Sequence, residues 1–78
     1  MKKEEVLMVI YSEVTKHAKT RNIKPLHKLI ELGGHSLVIA EIISGVEARL
    51  NVKILDYVVK NNPTLDALSK HIIGLADK

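Results

Sequence analysis

Seventy-eight residues with a formal net charge of +3 and no cysteine allow one small domain, and exclude disulfides, thiolate metal sites and cysteine nucleophiles. Hydrophobic residues make up 46% of the chain, mostly Ile, Leu and Val, with no Phe or Trp, so the core is aliphatic and an enclosed active site has little room. The positive surplus gathers at Lys16, Lys19, Arg21, Lys24 and Lys28, where no aromatic residue is interleaved for base stacking; a solvated basic loop outweighs a nucleic-acid site. The apolar stretch Val6 to Ile10 is short and is followed by no small-residue cleavage site, and no run approaches the roughly 20 residues of a membrane span. The chain reads as a cytoplasmic protein with no membrane location.

In chain order, Val6, Leu7, Ile10 and Val14 recur at helical spacing and predict a first helix from Lys3 to about Ala18, with Glu4, Glu5, Glu13, Lys16 and Lys19 on its wet face. Its acids lie near the start and its bases near the end, as the helix dipole favours. Asn22, Pro25 and weak periodicity then predict a long loop, with room for a short helical turn around Leu26 to Ile30. A second helix is expected from Ser36 to Leu50. At about 100° per residue, Ile39, Ile42, Ile43, Val46 and Leu50 share one arc as the core face, while Leu37, Glu41, Ser44 and Ala48 point elsewhere. Asn51 suits the stop, Val52 to Ile54 is too short to read as a strand, and Asp56 to Lys60 reads as a short third helix ended by Asn61-Asn62-Pro63. Thr64 is the natural N-cap of a last helix marked by Leu65, Leu68, Ile72 and Leu75. The expected class is therefore all-α, in a single domain spanning 1–78 with its core at about 3–75.

The segment with most chemical content is Leu32-Gly33-Gly34-His35-Ser36-Leu37. It places a serine where a flexible turn meets a helix start, a position whose unpaired N–H groups and dipole favour an anion. Gly33 and Gly34 have no Cβ, so the backbone can turn sharply and an enzyme can approach the hydroxyl closely. By itself such a serine is most often a helix cap. His35 beside Ser36 does not make a hydrolytic pair, because adjacent residues diverge and no orienting acid is apparent. His17, His27 and His71 show no metal-site spacing.

This motif, with Glu47, Leu50 and Val52 behind it and Asn62-Pro63-Thr64-Leu65 before the last helix, resembles that of the peptidyl carrier proteins, within the acyl carrier protein superfamily. The resemblance covers roughly residues 3–75. It implies a small four-helix bundle with a long loop after the first helix and a short third helix. It further implies that Ser36 carries 4'-phosphopantetheine from coenzyme A, with Gly33, Gly34 and His35 as motif context, and that the chain has no catalysis of its own. His-Ser-Leu, where fatty-acid carriers usually have Asp-Ser-Leu, and the basic charge favour an aminoacyl or peptidyl cargo. An acyl carrier of a polyketide or fatty-acid-like pathway is the alternative, and a helical interaction or nucleic-acid-binding module is the remote one. Leu29 and Ile30 stand where peptidyl carriers often have aromatic residues, and His27 or Lys28 where an acid is common, which leaves the subgroup open. Implied partners are a phosphopantetheinyl transferase, an adenylation or other loading enzyme, and condensation, tailoring or thioesterase enzymes. These would dock on a monomer through Leu37, Glu41, Ser44 and Ala48, supplemented by Tyr57 and Val58, for which core packing is the competing role. Starting with Met and ending soon after the last helix, the chain reads as free-standing.

Overall fold

Val6, Ile10 and Val14 lie one turn apart and are fully buried along one stripe of helix α1 (Lys3–Ala18). The computed structural model describes residues 2–18, 22–33 and 36–76. It continues with α2 (Leu29–Gly33), α3 (Ser36–Leu50), α4 (Asp56–Asn61) and α5 (Leu65–Ala76). Among the described residues there is no strand, only an isolated antiparallel bridge between Lys28 and Thr64. Three long helices and the short α4 occupy the expected spans. The extra short helix, α2, falls inside the predicted loop but later than the turn expected around Leu26 to Ile30. The reason is local: residues 24–27 are taken up by a turn in which His27 N–H donates to the Lys24 carbonyl at 3.0 Å, and Lys24 N–H to His27 Nδ1 at 3.0 Å. Glu31 then accepts the Lys28 N–H at 3.2 Å, the back-reaching half of a capping box.

Leu29, Ile42, Val46, Ile54, Val58, Leu65, Leu68 and Ile72 complete the core, and Ile39, Ile43 and Leu50 pack on its edge. Thr64 caps α5 as its sequence position predicts, its Oγ1 accepting the Ala67 N–H at 3.1 Å. The next two free donors of that helix, Leu65 N–H and Asp66 N–H, go to the carbonyls of His27 at 3.0 Å and Pro25 at 2.8 Å. Leu29 N–H in turn donates to the Pro63 carbonyl at 2.9 Å. The segment before α2 is thereby fastened to the start of α5, and orphan helix groups are satisfied by a loop rather than by water.

At the end of α3, Asn51 adopts φ 54°, the left-handed conformation that stops a helix, and Val52 N–H donates back to the Glu47 carbonyl at 3.3 Å. The Glu47 carboxylate also accepts the Ile54 N–H at 2.6 Å, so one residue holds both the turn and the approach to α4.

The expected wet face of α1 is corrected at one position. Glu13, assigned to the wet face of α1, is only 4% exposed. It follows Ile10 by three residues and Val6 by seven, which puts it on the apolar stripe. It is accommodated there because α3 presents Gly45, where an added Cβ would overlap the Glu13 carboxyl. Its charge is met by Arg49 Nη1 at 3.3 Å and His17 Nε2 at 3.4 Å.

Candidate functional site

The chain has four serines, Ser12, Ser36, Ser44 and Ser69. Ser69 is fully buried, with its hydroxyl donating to the Asp66 carbonyl at 2.7 Å, and cannot be reached by an enzyme. Ser12 and Ser44 lie within α1 and α3, where backbone N–H groups are already spent on the helix ladder. Ser36 alone is both exposed and the first residue of a long helix, so an anionic ester on its oxygen would sit at the positive end of the α3 dipole. Gly33 closes α2; Gly34 and His35, the rest of the motif context, lie outside the described residues.

Ser36 also lies on the edge of an open groove of about 660 Å³ between α2, α3 and α4. Leu29, Ile39, Ile43, Ile54 and Val59 give it an apolar floor, and Glu47, Asp56 and Lys60 add polar groups. The helices that form the groove are set by the contacts already described: Leu29 N–H on Pro63 places α2, and Ile54 N–H on Glu47 places the approach to α4.

The residues expected to face partners separate into two groups. Leu37, Glu41, Ser44 and Ala48 are all exposed on α3, Leu37 by 65%, and Tyr57 on α4 is 58% exposed. Val58 is 3% exposed and belongs to the core, so its expected contribution to docking is corrected. Neighbours on a helix point about 100° apart, and in the short α4 the turn that exposes Tyr57 drives Val58 inward against the core.

A family model described as Phosphopantetheine attachment site matches residues 5–72. The chain belongs to that family. No curated protein and no solved structure matches it significantly. Phosphopantetheine carriers bear 4'-phosphopantetheine on a serine and work with phosphopantetheinyl transferases and biosynthetic enzymes. The carrier has an all-α bundle, and among its described residues no helix is long and apolar enough to cross a membrane. An exposed hydroxyl at a helix start beside an apolar groove suits a phosphodiester-linked arm.

What sequence reasoning missed in the carrier is the charged cluster behind the α3 face. His17 Nδ1 lies 3.1 Å from Glu41 Oε2, while Nε2 approaches the buried Glu13. The i,i+4 spacing of Glu13 and His17 was visible in the sequence; the arrival of Glu41 from another helix was not.

Proposed function

We propose that the carrier is a peptidyl or aminoacyl carrier protein without catalysis of its own, modified at Ser36 and presenting cargo to enzymes of nonribosomal peptide or hybrid natural-product biosynthesis. The observation that carries the attachment site is Ser36's exposure at the α3 N-terminus, together with the burial or mid-helix position of every other serine. In the transfer, the Ser36 oxygen bonds to the pantetheine-side phosphorus of coenzyme A as the phosphoanhydride bond breaks. Adenosine bisphosphate leaves with the bond's electron pair, and the hydroxyl proton passes to the transferase. When attached, the arm supplies a terminal thiol that holds cargo as a thioester, a nucleophile the cysteine-free chain lacks. The chain's own role is to fix one end of the arm and to raise the effective concentration of cargo at whichever enzyme docks. Leu37, Glu41, Ser44, Ala48 and Tyr57 are the surface we assign to those enzymes.

His-Ser-Leu in place of Asp-Ser-Leu supports aminoacyl or peptidyl cargo. The apolar floor of the groove favours the second reading, an acyl carrier, because aliphatic cargo could bury surface there at roughly 25 cal/mol per Å². Intact mass spectrometry after incubation with coenzyme A and a broad-specificity transferase tests the site: the wild type gains one phosphopantetheine mass and Ser36→Ala gains none. An unchanged wild-type mass with several competent transferases overturns the carrier reading. Loading trials with adenylation and acyl-transfer enzymes separate the two cargoes.

A further inference from the structure

The groove beside Ser36 has two chemically different ends. α2 closes at Gly33 and α3 opens at Ser36, so the groove-lining Leu29 and Ile30 of α2 lie toward the serine. The Pro63 carbonyl, fastened to Leu29 N–H at 2.9 Å, brings the chain beyond α4 to the same end. Glu47 lies about three turns farther along α3, and its carboxylate accepts the Ile54 N–H at 2.6 Å, which sets the start of α4 there. α4 therefore runs back along the groove, with Asp56 near Glu47 and Lys60 about one turn closer to Ser36. Among the described lining residues the single cation is thus displaced toward the serine, and both carboxylates lie away from it across an apolar floor. None of these three side chains enters an ion pair among the described residues. The dipole of α4 accounts for the signs of Asp56 and Lys60, but it does not require both to line the groove that Ser36 borders.

Length decides what reaches the acidic end. From the serine oxygen to the sulfur, a phosphopantetheine arm has about fourteen bonds, roughly 18 Å when extended. From Ser36 to Glu47, α3 rises about 16 Å. We propose, on the reading of Ser36 as the attachment site, that the groove seats the arm in its aminoacylated state, with the phosphodiester at the end nearer Lys60 and the α-ammonium of the cargo at Glu47 and Asp56. Fatty acyl cargo has no cation to offer there, and neither does peptidyl cargo, whose amine beside the thioester has been acylated. Seating either would take water from carboxylates without returning a partner. The seat therefore favours a loaded amino acid and loosens its hold once that amine enters a peptide bond.

Two coenzyme A analogues with an amide in place of the thioester test the seat: one bears leucine, the other 4-methylpentanoate, the same skeleton without the amine. A broad-specificity transferase attaches each to the full, isotope-labelled chain, and NMR reads the arm's position. The leucyl arm gives nuclear Overhauser contacts to the methyls of Ile54 and Val59 and shifts the Asp56 amide. The 4-methylpentanoyl arm occupies the groove about two- to fivefold less, the size of one exposed charge pair. Asp56→Asn, or Asp56→Ser should the first variant not fold, shrinks that difference, as does raising salt on the wild type from about 0.05 to 0.5 M. A leucyl arm without contacts to the groove, equal occupancy by the two cargoes, or a difference unchanged by substitution and salt overturns the seat. Absence of added mass with several competent transferases overturns the carrier reading instead, and mass added to Ser36→Ala overturns the attachment site.

Discussion

Glu13 and Gly45 form one unit although they belong to different helices. Glycine inside a helix ordinarily costs about 1 kcal/mol relative to alanine, so Gly45→Ala should stabilise an isolated α3. Here the new methyl would displace a carboxylate held between Arg49 and His17, and overpacking of this kind costs roughly 1–3 kcal/mol. Gly45→Ala is expected to lower the urea midpoint in the wild type and to raise it in a Glu13→Ala background. The same sign in both backgrounds would show that the Glu13 carboxylate is not what the glycine makes room for. The helix start at Ser36 was legible in the sequence because its signal is local, a Gly-Gly turn against an apolar periodic run. Glu13 was not, because its burial depends on what a distant segment places opposite it.

At the scale of elements, helix extents followed from periodicity and from stop and start residues. Asn51 ends α3 in the left-handed conformation and Thr64 begins α5 with a side-chain cap. Thr64→Ala removes that cap and is expected to cost about 0.5–2 kcal/mol by urea denaturation, without altering the modification proposed at Ser36 beyond the loss of folded protein. The short elements were less legible. α2 has five residues and α4 six, too few for a helical period to declare itself, and their ends are fixed by contacts made elsewhere. The Glu31 carboxylate on Lys28 N–H and the Pro63 carbonyl on Leu29 N–H place α2. Inward packing of Val58 likewise settled the competition between docking and core, which adjacency to Tyr57 had left open.

At the scale of the whole molecule, α1 makes the central contacts. It packs on α3 through the Glu13 cluster and on α5 through an ion pair between Lys3 and Asp66, which Lys70 also approaches at 3.4 Å. A hydrogen bond from the Lys3 ammonium, supported by its charge and by Lys70, holds Asp66 below the usual carboxylate range despite some desolvation. Because the folded state favours the ionised form, this contribution is present above the ordinary Asp range of about pH 4. It is lost as pH falls through the lower folded value. Lys3→Met is expected to lower the urea midpoint at neutral pH and to narrow its drop between neutral and acid solution. An unchanged drop would show that the pair does not contribute to acid sensitivity. The partly buried Tyr11 phenol is pushed up by burial first and by Asp66 second, with Lys3 opposing.

The sequence by itself determined the helical class, the extents of the long helices, most of the aliphatic core and the serine at the start of α3, since each depends on neighbours within a few turns. Tertiary structure decided which polar residues the core admits, which face of α4 is buried, and that an apolar groove runs beside Ser36. It also placed His17 between Glu13 and Glu41, because a contact between residues on different helices exists only once those helices have packed.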